Sequence, residues 1–184
     1  MQKIVFTIVL ACMISTLAYA QAEVIAGNLA TTLTLVVTNA RSNFSALKGE
    51  RTDNANVEEY KTTASFTGCE KNYIHVNSFG SNFTQWIAFY EFESKEKTVN
   101  EQFYNAWYEK IKATPIIVAG KKCMWTPIVD PKNPSGVDEG GDIIKSLVIN
   151  IPFLGKQQLS LALTMPPPGF DIATGLTVEV HQIQ

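Results

Sequence analysis

Apolar and polar positions follow three rhythms along this chain, and each predicts a different kind of element. The first is a nearly unbroken apolar run from Ile4 to Leu17, preceded by Met1-Gln2-Lys3 and followed by Ala18-Tyr19-Ala20. A short positive leader, an apolar stretch and small residues at the two positions read by a signal peptidase predict a signal peptide over residues 1–20, cut between Ala20 and Gln21. The apolar run is shorter than the roughly 20 residues a spanning helix needs, so no stable membrane insertion is expected after cleavage. The mature chain is then a single globular domain over residues 21–184.

The second rhythm is helical. Ile25, Leu29, Leu33, Val36, Ala40, Phe44 and Leu47 recur at steps of three and four, which predicts a helix from Ile25 to Leu47 closed by Gly49. Thr31, Thr32, Thr34, Val36, Val37 and Thr38 favour a strand by propensity, but a period sustained over six turns outweighs them. A second stripe of Val99, Phe103, Ala106, Trp107 and Ile111 predicts another helix. Thr98 and Glu101 have the spacing of a capping box at its start, and Pro115 limits its end.

The third rhythm has a period of two. Beyond a polar link from Arg51 to Glu58, Tyr60-Thr62-Ala64-Phe66, then Lys71 to Phe79, then Thr84 to Glu93 alternate like strands, with turns at Gly68 and at Gly80-Ser81-Asn82. Trp86, Ala88, Tyr90 and Phe92 share one face of the third run. After Ile116 to Ala119 and a loop from Asp130 to Asp142, three more runs alternate at Ile143 to Ile151, Gln158 to Met165 and Leu176 to Ile183. The order α-β-β-β-α-β-β-β predicts an α+β fold with two helices packed on antiparallel sheet.

Composition narrows the function without naming it. The chain has 184 residues, 46% hydrophobic, and a formal charge of -2, which gives no electrostatic footprint for nucleic acid. Export delivers Cys69 and Cys123, 54 positions apart, to an oxidising compartment, and the pair predicts a disulfide. An alternative at the N-terminus lipidates Cys12, because Val9-Leu10-Ala11-Cys12 is similar to a bacterial lipoprotein box.

Candidate chemistry is sparse. The two histidines, His75 and His181, each fall on a predicted strand, His75 beside Tyr73 and Asn77, and His181 beside Thr177 and Glu179. Neither has the closely spaced partners of a zinc site, so no metal and no cofactor is expected. There is no Gly-x-Ser-x-Gly elbow and no phosphate-binding glycine loop. Glu91 and Glu93 are the nearest carboxylate pair, and both read as solvent-facing. The acids between Asp130 and Asp142 do not follow the ligand order of a calcium loop. Asn43 and Asn82 fit the N-glycosylation pattern.

The expectation is therefore an exported, non-enzymatic domain, periplasmic or secreted, that binds an envelope or extracellular protein or a small ligand. Two alternatives stand beside it. One is a small secreted hydrolase using His75 or His181 as base; the other is an inhibitor or immunity-type protein that probes its target with the Asp130 to Asp142 loop.

Overall fold

The first helical stripe folds into α1 (Leu29–Ala40) in the computed structural model, which describes residues 28–77, 83–91, 97–137, 139–151, 158–165 and 175–183. Leu29, Thr32, Leu33, Val36, Val37 and Ala40 are its buried face, so the period wins over β-branched propensity as expected. The helix ends earlier than its stripe. Asn43 and Phe44 turn left-handed at φ 52° and 57°, and a single 3-10 turn follows at Ser45–Leu47. Phe44 and Leu47 are nonetheless 1% and 4% exposed. Their spacing thus reported burial, which a turn satisfies as well as a helix does. Asn43 accordingly lies in an exposed turn, while Asn82, Cys12 and the Ala20–Gln21 junction fall outside the described residues.

Gly49 caps no helix. It belongs to β1 (Lys48–Arg51), formed from residues that read as the end of a helix and the start of a polar link. A Cβ at Gly49 would stand 3.2 Å from the Lys61 carbonyl oxygen, a close approach to β2 (Glu58–Thr62) that suits glycine. The strands β3 (Lys71–Asn77) and β4 (Phe83–Glu91) complete the first meander.

The second helix, α2 (Lys97–Ala113), places Thr98 one residue inside its first turn and ends two residues before Pro115. Beyond it Ile116 to Cys123 form a hairpin of β5 (Ile116–Val118) and β6 (Lys121–Cys123). Its turn residues Ala119 and Gly120 both have positive φ, 49° and 75°, as a two-residue primed hairpin turn requires. The remaining strands are β7 (Thr126–Ile128), β8 (Ile143–Asn150), β9 (Gln158–Met165) and β10 (Gly175–Ile183).

Among the described residues, eight strands form one antiparallel sheet in the order β1-β2-β3-β4-β10-β9-β8-β7. The order is that of two helix-plus-meander halves joined at β4 and β10, with the β5–β6 hairpin inserted in the second. The helices repeat the same buried spacing, Thr32, Leu33, Val36 and Ala40 in α1 against Phe103, Tyr104, Trp107 and Ile111 in α2. Both helices and the hairpin join one core with Ile74, Trp86, Ala88, Tyr90, Leu147, Ile149, Leu159, Leu161 and Leu163. Each fully buried large side chain in it contributes about 1.5–3 kcal/mol relative to exposure.

Polar contacts fix the layers at specific points. The Asn28 amide donates to the Ser65 carbonyl at 2.9 Å and accepts from the Thr67 N–H at 3.0 Å, so the start of α1 is tied to the chain leaving β2. The Ala64 carbonyl accepts from Trp86 Nε1 at 2.9 Å and from Asn72 Nδ2 at 2.7 Å. The Tyr104 hydroxyl reaches from α2 to the sheet, 2.9 Å from the Leu163 carbonyl and 3.2 Å from that of Ile143.

Candidate functional site

Because side chains alternate along a strand, the core residues of the sheet fix which positions belong to its other face. Among the described residues no helix packs there, since both helices and the hairpin belong to the core on the opposite side. Strand register orders this far face into rows. The central row runs Glu59, His75, Gln85, His181, Ser160, Val148 and Thr126, each the Cα partner of the next. A parallel row runs Lys61, Tyr73, Ile87, Glu179, Ala162, Ser146 and Ile128. A third holds Lys71, Phe89, Thr177, Thr164 and Ile144.

The two histidines, 106 positions apart in sequence, therefore share one row, separated by the single strand that carries Gln85. Alternating antiparallel Cα spacings of about 5.5 and 4.5 Å put their Cα atoms about 10 Å apart. Tyr73, His75, Gln85 and Phe89 are half-buried, while Ile87 and Ser160 are 6% and 5% exposed. Glu59, opposite His75, accepts a hydrogen bond from the Thr52 hydroxyl at 2.9 Å, which steadies the carboxylate at the end of the row. The row thus brings Glu59, His75, Gln85, His181 and Ser160 into one line of register, with the aromatic and aliphatic residues of the other two rows all on one side of it.

The face assignments of His75 with Tyr73 and of His181 with Glu179 follow from alternation alone. What sequence reasoning missed is the register that joins those faces, together with Glu59, Gln85 and Ser160, which carry no local motif. The parity of Gln85 against Trp86 was a usable signal, because it placed Gln85 opposite the core.

The expected disulfide is not formed: Cys69 and Cys123 are free thiols. Their number and compartment predicted a bridge, but the fold commits each thiol elsewhere. Cys69 sits at the entry to β3, where its Sγ is 2.9 Å from the Lys71 carbonyl and 3.3 Å from that of Phe89. Burial is the main cause that pushes this thiol up to about 11, with backbone hydrogen bonding at Phe89 and Lys71 acting the other way. Cys123 ends β6, pairs with Ile116 and is 9% exposed within the hairpin that packs on α1.

Elsewhere, Lys145 lies on the core-facing side of β8, opposite Leu163, and its ammonium donates to Asn105 Oδ1 at 2.6 Å. The same nitrogen stands 4.8 Å from the Tyr108 ring centre and 5.4 Å from that of Tyr104, a snorkelling arrangement in which burial lowers its pKa. In the loop after β7, Asp130 Oδ1 accepts from the Lys132 N–H at 2.8 Å and Asn133 Nδ2 donates to the Val137 carbonyl at 2.7 Å. These bonds hold the loop by its own side chains. No group of three or more acidic, histidine or cysteine residues suited to a metal ion occurs among the described residues. Glu91 ends β4, and Glu93 lies outside the described residues.

No protein-family model, curated protein or solved structure matches this chain.

Proposed function

We propose that this chain is an exported, non-enzymatic binding protein of the periplasm or the extracellular space, and that it docks an envelope protein against the far face of its sheet. The observation that carries this reading is the three-row patch itself. Seven strands cross it at about 4.8 Å spacing and its rows are about 6.7 Å apart along the strands, so with side-chain margins its footprint is on the order of 700 Å², with Ile87 and Ser160 buried inside it. That is close to the roughly 800 Å² each partner gives to an interface of standard size. Aromatic and aliphatic positions at Tyr73, Phe89 and Ile128 lie along one side of a row of hydrogen-bonding residues, the composition expected of a recognition surface. On the helix side of the sheet, Trp86, Trp107, Tyr104 and Leu147 are fully buried in the core instead.

The test is retention of envelope proteins from the producing organism on the immobilised mature chain, residues 21–184, in three forms. The wild type and Ile117→Glu, whose substitution is on the hairpin, are expected to retain the same partner. Phe89→Ser combined with Ile128→Glu, on the far face, is expected to lose it by at least about tenfold, the effect of removing an interface anchor. Equal retention by all three, loss with Ile117→Glu alone, or nothing retained by folded protein overturns the reading.

A secreted hydrolase is the second reading, and one observation favours it: Ser160 is the Cα partner of His181, with Glu179 two residues away on the same face of β10. Covalent labelling by a fluorophosphonate that disappears in Ser160→Ala would carry it.

A further inference from the structure

On the helix side of the molecule, α1 and the β5–β6 hairpin present an outward surface that is apolar and carries no acid of its own. The 12 residues of α1 include no charged side chain, and no acid occurs between Glu23 and Glu50 or between Glu109 and Asp130. Glu109, which borders the second stretch, is paired with Lys112. The two elements meet where the Ile117 N–H donates to the Thr34 hydroxyl at 3.3 Å. Burial alternates through the hairpin, so Ile116, Val118, Cys123 and Trp125 are buried while Ile117 and Met124 are 51% and 44% exposed. Lys122 is the exposed cross-strand partner of Ile117. On α1, Leu35 is 42% exposed beside Thr34, and Arg41, the helix C-cap, is exposed two turns beyond Thr34 on the same side. Neither Arg41 nor Lys122 has an ion-pair partner among the described residues. Polar groups of the helix surface are already engaged: Thr38 Oγ1 donates to the Thr34 carbonyl at 2.7 Å and Asn39 Nδ2 to that of Leu35 at 2.8 Å, so losing water costs them little.

We propose that the face formed by α1 and the hairpin docks on the surface of an anionic lipid bilayer, with Leu35, Ile117 and Met124 set below the headgroups and Arg41 and Lys122 level with the phosphates. Charge complementarity selects this occupant. In a chain of net charge -2, a face with unpaired cations and no acid is the part attracted to a negative surface, and the aliphatic side chains between them supply the apolar half of interfacial binding. A protein-binding hot spot would expose tryptophan or tyrosine, whereas no large hydrophobic residue exposed among the described residues is aromatic. At 12 residues α1 is about 18 Å long, too short to cross a bilayer, so the chain lies on the membrane rather than through it. Docked in this way it turns the three rows of the sheet away from the lipid. The inference stands on the helix side alone and does not rest on a protein partner for the far face.

The experiment is flotation of residues 21–184, without the N-terminal apolar run, with vesicles of pure phosphatidylcholine and of an equimolar phosphatidylcholine–phosphatidylglycerol mixture. Binding to the anionic vesicles is expected to be at least about tenfold tighter than to the neutral ones at low salt, and to weaken as salt is raised. Lys122→Ala should weaken it about fivefold, the contribution of one basic residue near an anionic surface. Leu35→Glu combined with Ile117→Glu should weaken it at least about tenfold. Phe89→Ser combined with Ile128→Glu, on the far face, should bind as the wild type does, with circular dichroism showing that each variant is folded. Lys122→Ala, at an exposed position, keeps the test decisive if the double glutamate variant unfolds. No binding by folded wild type, equal affinity for both vesicles, undiminished binding by either folded helix-side variant, or loss with the far-face variant overturns the proposal. A lipid-free wild-type dimer that dissociates in Leu35→Glu with Ile117→Glu also overturns it, because a second copy would then cover the face.

Discussion

Removal of one oxygen atom tests how α2 is held to the sheet. Tyr104 is 1% exposed, and its hydroxyl lies 2.9 Å and 3.2 Å from carbonyls on adjacent strands, Leu163 of β9 and Ile143 of β8. Its pKa is raised, chiefly by burial, as expected of a neutral hydroxyl kept as a donor. A hydroxyl has one proton to give, so Tyr104→Phe removes one hydrogen bond shared between two acceptors rather than two full bonds. A buried bond contributes about 0.5–1.5 kcal/mol net, and leaving its acceptor short raises the loss, giving an expected cost of about 1–2 kcal/mol. The ring remains, so the Lys145 contact and the packing are retained. For a domain of this size each kcal/mol lowers Tm by about 2–4 °C.

Tyr90→Phe is the matched control. Tyr90 is 2% exposed, yet among the described residues its hydroxyl has no hydrogen-bond partner. Removing it should cost nothing or stabilise the protein by up to about 1 kcal/mol, because an unpaired buried hydroxyl is a penalty already borne by the wild type. Urea unfolding followed by the fluorescence of the buried Trp86, Trp107 and Trp125 measures both variants. Equal effects, or a neutral Tyr104→Phe beside a destabilising Tyr90→Phe, would refute the assignment of the Tyr104 hydroxyl as the tie between helix and sheet.

The remaining predictions concern the hairpin turn and the free thiol. Ala119 holds φ 49° in an exposed turn, where an L-residue other than asparagine loses about 1–2 kcal/mol, so Ala119→Asn should raise unfolding stability by about 0.5–1 kcal/mol in the same urea assay. Cys69 has its folded-state pKa raised from 9.0 to about 11, so its contribution to stability is complete below about pH 9 and is lost as the pH rises toward 11. Iodoacetamide should accordingly alkylate native Cys69 much more slowly at pH 8 than after unfolding, and rapid modification of the native thiol at pH 8 would contradict its burial.

Where a pattern reports burial and the backbone has one way to supply it, the sequence was enough. Trp107 and Ile111 of α2, and Trp86, Ala88 and Tyr90 of β4, are buried on the faces their periods predicted. Where two backbones bury the same residues, the pattern was ambiguous, as at Phe44 and Leu47. The strand β1 was hidden because Lys-Gly-Glu-Arg has no alternation, and as an edge strand it needs only one partner and no buried face. The hairpin was hidden because Ala119 stands where asparagine would have announced the turn. The free thiols show a different limit: cysteine counting addresses compartment, whereas a bridge also needs two Cα atoms within about 7 Å.

The central row was illegible for a stronger reason, since it depends on contacts between strands from opposite halves of the chain. A relation between the halves does not account for it. The mirrored order β1-β2-β3-β4-β10-β9-β8-β7 makes β9 the counterpart of β3 and β10 the counterpart of β4. Repetition of one half in the other would set like residues on β3 and β9, or on β4 and β10. The histidines instead occupy β3 and β10, which are not counterparts, and the β4 position between them is a glutamine. Nor does core packing require them, because the whole row lies on the face away from the helices. Neither the repeat nor the core therefore dictates that the chain's two histidines fall in one row of the sheet, and that independence is why the row supports the docking role proposed for this face.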